Sequence, residues 1–151
     1  MQRTFGGLLL ALSICFVSVP GGFVRGQRAP LPVAVGDTGT RVGDARVADA
    51  LEDALHRAIA RESSRLVEAR PASARFVLTA SVTELEVRPG EPEHEVRIAV
   101  SLVVADRGGS VRAMLSGRAG ARGDGDPAEL TEDALFAAVR SAMRPLGDSL
   151  R

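Results

Sequence analysis

Three polar stretches of the sequence contain residue types that could bind a phosphate or a metal ion. In the first, an apolar run at residues 33–35 and Gly36 lead into Asp37-Thr38-Gly39-Thr40. A strand followed by D-x-G-T is the pattern of a phosphate loop, because glycine lets backbone N–H groups approach the phosphate while the acid holds a metal. A helical pattern follows directly, so we interpret residues 37–44 as a strand-to-helix loop rich in turn-forming residues.

The other two stretches are acidic and could hold a divalent cation. Residues 91–95 contain three glutamates and His94, and Asp124, Asp126 and Glu129 lie near the carboxyl terminus. Adjacent residues of a polar loop rarely converge on one ion, and the second set lacks the complete ligand pattern of a calcium loop. Helix capping explains Asp126 and Glu129 better. We therefore predict no metal site and no cofactor.

The sequence also lacks a recognisable set of residues for nucleophilic catalysis. His56 lies within a helical pattern, and no serine, cysteine or acid stands at a spacing that would form a catalytic set with it. Cys15 is the single cysteine and lies in an amino-terminal leader, so the mature chain is expected to contain no thiol. The prediction is a protein without enzymatic activity.

The amino-terminal leader has the pattern of an export signal peptide. Arg3 supplies the positive end, residues 5–19 form an apolar run, and small residues after it provide a cleavage site. The run is shorter than the roughly twenty residues of a membrane span. Isoleucine before Cys15 and apolar residues after it make a poor lipoprotein processing box. We predict a signal peptide over residues 1–26, a short arm over 27–31 and a periplasmic or secreted mature protein. A lipid anchor at Cys15 and a retained signal are the alternatives.

Composition limits the classes of partner. All 19 basic residues are arginine, and lysine, asparagine, tyrosine and tryptophan are absent, which indicates the codon bias of a GC-rich genome. Arginine is therefore not by itself evidence of phosphate binding here. Without the leader, 17 basic and 19 acidic residues give a formal charge of −2, and only Phe76 and Phe136 remain as aromatics. Neither feature favours nucleic acid as a partner.

The positions of the polar stretches depend on a sheet predicted between residues 76 and 119. Three runs of alternating apolar and polar residues there predict an antiparallel meander. The middle run places Val96, Ile98, Val100, Leu102 and Val104 on one face. In the first run the apolar parity changes at Leu85 and Val87, as a β-bulge would make it. Gly108 and Gly109 favour a tight hairpin between the last two runs.

Shorter elements flank the meander. An apolar run at residues 32–35 predicts a first strand, and Asp44 is the expected N-cap of an amphipathic helix. Residues 65–69 predict a second strand beside the first, because Pro71 stops a short β pattern there. The polar connection at residues 88–95 contains two prolines that cannot join a ladder.

The carboxyl-terminal part of the sequence predicts a linker followed by a final helix. Residues 120–125 form a glycine-rich linker, and Asp126-Pro127 is a strong helix start. Pro145 should kink or end this helix, which leaves Leu146 and Leu150 to pack as a tail. The fold class is thus α+β, a single domain over residues 32–151. Its order is strand, helix, strand, meander and helix, and both helices pack on one face of a mainly antiparallel sheet.

The opposite face of this sheet is the predicted binding surface. It carries Thr79, Ser81 and Thr83 from the first meander strand and Arg97 and Ser101 from the second. Helices that cover the apolar face leave this second face, or an open sheet edge, available to a partner. Docking there can use polar contacts or the addition of a strand. We therefore predict a partner-binding surface at these five residues.

Several of these stretches together resemble one group of bacterial envelope proteins. They are the first strand, the helix from Val47, residues 74–86, the run at residues 96–104 with residues 105–111, and the closing helix around residues 134–143. The group includes the amino-terminal domain of TolB, the periplasmic domain of the curli secretion channel and the penicillin-binding-protein activator lipoproteins. The resemblance spans most of the mature chain and rests on apolar patterns and a glycine turn. It implies an exported, non-enzymatic domain that binds other envelope components.

The leading hypothesis is therefore an envelope interaction or assembly-accessory domain. We expect its partner to be another envelope protein, or a component of peptidoglycan synthesis or of the outer membrane, and not nucleic acid. Contact with a membrane is expected only if Cys15 is lipidated or the signal is retained. Two alternatives stay open. One is a small periplasmic ligand-binding module or enzyme that uses residues 37–44 or the exposed sheet face. The other is an accessory protein of lipopolysaccharide export, whose small lipoprotein plug has a comparable layout of helices on a sheet.

Overall fold

A computed structural model describes residues 29–150, apart from residues 43 and 91. The elements in chain order are β1 (Leu31–Thr40), α1 (Ala45–Arg61), β2 (Leu66–Glu68), β3 (Phe76–Arg88), β4 (His94–Asp106), β5 (Val111–Gly123), α2 (Pro127–Met143) and α3 (Leu146–Ser149). The predicted signal peptide and Cys15 lie outside the described residues. The order of elements confirms the predicted α+β class.

The five described strands form one mixed sheet in the order β2-β1-β3-β4-β5. β3, β4 and β5 pair antiparallel with one another, which confirms the predicted meander. β1 lies parallel to β2, because α1 carries the chain back before β2 begins. It is also parallel to β3, which residues 69–75 connect to β2. The predicted pairing of the first two strands is confirmed. The sheet is antiparallel in its meander and parallel around β1.

The change of parity in β3 is a β-bulge. Val82 pairs with Val100 while Glu84 pairs with Ala99, so Thr83 is the extra residue. The bulge returns Leu85 to the apolar face opposite Ile98. The parity change that the sequence indicated is therefore confirmed.

Several strands extend into stretches predicted to be loops; β3 reaches Arg88 and β4 begins at His94, which shortens the polar connection predicted over residues 88–95. β1 continues to Thr40, so Asp37-Thr38-Gly39-Thr40 is strand and not a strand-to-helix loop. Its pairing with β3 shifts register between Val35 and Thr38, which accommodates the turn-forming residues. β5 continues to Gly123, so most of the predicted glycine linker is strand paired with the start of β4. A long neighbouring strand offers backbone partners that outweigh the local preference for a loop.

Side-chain caps define where both long helices begin. The carboxylate of Asp44 accepts a hydrogen bond of 2.9 Å from the backbone N–H of Arg46. The carboxylate of Asp126 accepts a hydrogen bond of 3.0 Å from the backbone N–H of Ala128. These bonds satisfy N–H groups that have no partner inside the helix. α2 ends at Met143, close to Pro145, as predicted, and the short α3, which was not predicted, follows Pro145.

The core lies between the sheet and the two long helices. Apolar residues of α1, β4 and α2 are buried together in one cluster, among them Leu51, Leu55, Ile98, Val100, Leu102, Leu135 and Val139. Leu146 is also buried and Leu150 packs against the cluster, so the predicted apolar tail is confirmed. No helix within the described residues is long and apolar enough to cross a membrane.

An ion pair joins α1 to the short edge strand β2. The Nδ1 atom of His56 lies 2.9 Å from a carboxylate oxygen of Glu68. The hydrogen bond to Glu68 raises the pKa of His56 above its ordinary value of 6.5. The pair is partly exposed, which limits its contribution to about 0.2–1 kcal/mol.

We expect this pair to make stability depend on pH. Because the folded-state pKa of His56 lies above its unfolded value, the contribution is complete below about pH 6.5. It is lost as the pH rises through the folded-state pKa. Glu68→Gln should therefore lower the free energy of unfolding more at acidic than at alkaline pH in denaturant melts. Glu132→Gln, an exposed change on α2, serves as the control. An equal loss at both pH values would contradict the assignment.

Candidate functional site

The five predicted binding residues all lie on the sheet face that points away from α1 and α2. We call this surface the open face; it is formed by the residues of β3, β4 and β5 whose side chains alternate with the core residues. Thr79, Thr83 and Arg97 are exposed, and Ser81 and Ser101 are half-buried. The alternation of a strand is sufficient to bring them together on one surface.

A row of three serines crosses the middle of the open face. Ser81 pairs with Ser101 in the β3–β4 ladder, and Ser101 pairs with Ser116 in the β4–β5 ladder. Among the described residues, none of these hydroxyls is hydrogen-bonded to a histidine or a carboxylate. The row can donate and accept hydrogen bonds, but it contains no activated nucleophile. Ser116 was not among the predicted residues, although the hairpin at Gly108 and Gly109 fixes its register.

Two of the predicted residues have internal partners. The hydroxyl of Thr83 donates a hydrogen bond of 3.2 Å to the carbonyl of Ala99, which helps to hold the bulge. The guanidinium of Arg97 lies 2.7 Å from the carboxylate of Glu95. This contact holds the pKa of Glu95 below its usual range. Thr83 is thus partly structural, while Arg97 presents its remaining N–H groups to solvent.

A charged depression lies beside the serine row. Ala99 forms part of its floor and is only 6% exposed, and Gly120 leaves space next to it. Its charged lining residues are Glu84, Glu95, Arg97, Arg118 and Arg122. Of the described residues, Arg118 has no hydrogen-bonded or ion-paired partner. An unpaired guanidinium beside hydroxyl groups suits a partner that presents carbonyl or carboxylate oxygens.

The free edge of β5 extends the open face to the side. β5 is 13 residues long and, among the described strands, pairs with β4 alone, so its other edge presents backbone groups without a strand partner. Val111 and Met114 on this strand are 57% and 72% exposed. Long edge strands of this kind accept added strands unless something covers them.

The other candidate residues are dispersed. Asp37 is exposed within β1. Glu93 pairs with Arg122 at 2.7 Å, and the Nδ1 atom of His94 is buried without a hydrogen-bond partner among the described residues. Asp126 caps α2. In the part of the chain that the structure describes, no three histidine, cysteine, aspartate or glutamate side chains gather as metal ligands.

Comparison with known proteins relates this chain to others by fold alone. No protein-family model and no curated protein sequence matches it. The PelC dodecamer of Paraburkholderia phytofirmans superposes with a TM-score of 0.58 at 16% identity, over 78% of this chain and 88% of that chain. Protein XCC0632 of Xanthomonas campestris, of family DUF330, superposes with a TM-score of 0.56 at 15% identity, over 80% of this chain and 83% of that chain. A minor lipoprotein of Acinetobacter baumannii superposes with a TM-score of 0.50 at 15% identity, over 80% of this chain and 96% of that chain.

These similarities confirm the single-domain α+β fold. At such low identity they carry no residue roles from one protein to the other. The resemblance to the amino-terminal domain of TolB and to the curli secretion channel remains a prediction from the sequence.

Proposed function

We propose that this chain is an exported, non-enzymatic domain of the bacterial envelope that docks another envelope component on its open face. The open face itself carries the proposal, because both long helices pack on the other side of the sheet and leave three strands accessible. The export pattern of residues 1–26 and a fold shared with a minor lipoprotein support the location.

The chemistry of the open face favours docking over catalysis. The serine row offers hydroxyl groups, Arg118 offers an unpaired guanidinium, and the β5 edge offers backbone donors and acceptors. Polar groups of these kinds recognise extended backbone and side-chain oxygens. Catalysis would need a nucleophile hydrogen-bonded to a base, and the serine row offers none.

The test is cross-linking in the native envelope with a variant of the open face. Arg97→Glu combined with Ser101→Trp reverses a charge and fills the middle of the face, so capture of the partner should be abolished. Both side chains lie outside the core, and the melting temperature should change little. The captured component is identified by mass spectrometry of the cross-linked product.

A matched control changes the same residue types elsewhere. Arg46→Glu with Ser64→Trp alters two exposed positions away from the open face and should leave capture intact. Capture that persists in the Arg97/Ser101 variant would exclude this face as the docking surface. A product at a multiple of the chain's own mass would identify a second copy as the component; PelC, which shares the fold, is a dodecamer. Turnover of a small substrate that is lost in Asp37→Asn would overturn the non-enzymatic assignment.

A further inference from the structure

Three arginines surround one half-buried phenylalanine on the outer side of the helices. The Cζ atoms of Arg57 and Arg61 in α1 each lie 5.0 Å from the centre of the Phe136 ring. That of Arg140 in α2 lies 5.8 Å from the same centre. All three arginines are exposed. We call these three residues with Phe136 the arginine cluster.

No carboxylate neutralises the arginine cluster. Among the described residues, no acidic side chain lies within ion-pairing distance of any of its guanidiniums. The Nε–H of Arg57 donates to a backbone carbonyl, that of Asp53, at 3.4 Å. Arg57 and Arg61 also stand four residues apart in one helix, where like charges repel. In contrast, Arg88, Arg97, Arg112 and Arg122 on the sheet each pair with an acid.

Interactions within the protein explain only in part why three arginines without acidic partners lie around Phe136. A cation over an aromatic face is attracted to the ring, and the arginine stems cover apolar surface. Arg61 and Arg140 also lie in the last turns of their helices, where the helix dipole favours a cation. None of these effects removes the charge, because a guanidinium stays protonated at every physiological pH. The result is three positive charges close together on a mature chain whose formal net charge, without the leader, is −2.

We propose that the arginine cluster binds the phosphate groups of anionic phospholipids, so that the outer side of α1 and α2 lies on a membrane surface. A guanidinium group binds two phosphate oxygens at once, and a half-buried aromatic ring suits the boundary between headgroups and acyl chains. The donors stand on the exposed surface of two neighbouring helices, which matches an extended anionic surface. This inference rests on the envelope location proposed above.

The test measures partitioning of the whole mature protein onto two kinds of vesicle by co-sedimentation. One kind contains phosphatidylcholine alone, and the other also contains phosphatidylglycerol. Wild-type protein should bind only the anionic vesicles, and added salt should weaken that binding. The variant Arg57→Gln/Arg61→Gln/Arg140→Gln should bind the anionic vesicles on the order of a hundredfold more weakly. The reason is that each arginine near an anionic surface makes its own contribution to the free energy of binding. Its melting temperature should change little, because the lost attraction to the Phe136 ring and to the helix dipoles offsets the repulsion that is removed.

The control removes three charges elsewhere. Arg41→Gln/Arg70→Gln/Arg75→Gln changes the net charge equally at exposed positions outside α1 and α2. It should keep most of the binding. If both triple variants lost vesicle binding equally, the binding would depend on net charge and not on the arginine cluster, which would overturn the proposal. Failure of wild-type protein to distinguish the two vesicles would also overturn it, as would displacement from the vesicles by inorganic phosphate at unchanged ionic strength.

Two further outcomes separate the remaining explanations. A triple variant that melts lower but still binds the anionic vesicles would show that the arginines only shield Phe136. If the triple variant does not fold, Arg140→Gln alone should weaken binding about fivefold. The arginine-cluster variant should retain capture through the open face, and the Arg97/Ser101 variant should retain vesicle binding. Failure of this inference is therefore distinguishable from failure of the proposed function.

Discussion

Replacing Gly117 with alanine is expected to destabilise the protein by about 1–3 kcal/mol, the usual cost of overpacking a close contact. Gly117 lies in β5 on the face that α2 covers. A Cβ atom there would overlap the carbonyl oxygen of Ala138 and lie 2.6 Å from the backbone nitrogen of Ala142. Both obstacles are backbone atoms, so α2 itself must move away from the sheet. The loss is measured as the free energy of unfolding in denaturant.

Gly123→Ala is the matched control for this change. Gly123 lies in the same strand and on the same side, but its added Cβ would lie 3.4 Å from a methyl group of Leu130, an ordinary contact. Alanine has a lower conformational entropy than glycine in the unfolded chain, so this control should be neutral or slightly stabilising. Equal stability of the two variants would show that α2 does not pack against β5 at Gly117.

Alternation of side chains made the meander predictable from the sequence. The period of two assigns Val100 and Leu102 to one face without knowledge of any partner strand. The parity change before Leu85 indicated the bulge for the same reason. The first residues of both long helices were also predictable from nearby sequence, because the caps Asp44 and Asp126 bond only to backbone N–H groups of the next turn.

Features that depend on a distant partner were not predictable in this way. Residues 37–40 have loop-forming composition and are strand because β3 pairs with them. Gly120 and Gly123 are likewise strand because β4 continues beside them. The need for glycine at residue 117 comes from α2, which begins ten residues later. None of these constraints leaves a local pattern in the residues themselves.

The binding surface was predictable as a face but not in its chemistry. Parity alone grouped Thr79, Ser81 and Ser101 on one side. It did not reveal that Thr83 forms an internal hydrogen bond, because that bond depends on the bulge. The arginine cluster was also hidden, since Arg57 and Arg140 lie far apart in the chain. The sequence contains no lysine, so arginine at these positions did not stand out as a signal.

Replacing Leu55 with alanine is expected to have the largest effect on stability, a loss of about 2–5 kcal/mol. Leu55 is 0% exposed in the middle of α1 and belongs to the cluster that joins the helices to the sheet. Truncation removes buried apolar surface and leaves a cavity, because the sheet and α2 hold the surrounding side chains in place. The same reasoning gives a similar loss for Leu102→Ala, which approaches the cluster from β4.

Met114→Ala separates burial from side-chain size in this experiment. Met114 is as large as leucine but 72% exposed on the edge strand, so its truncation should change stability by no more than about 0.5 kcal/mol. Denaturant melts of the variants should share one slope with wild type, because each unfolds the same surface, and should differ in midpoint. A loss at Leu55 as small as that at Met114 would place α1 outside the core. The open face would then lose its assignment as the uncovered side of the sheet, since that assignment requires the helices to be firmly packed on the other.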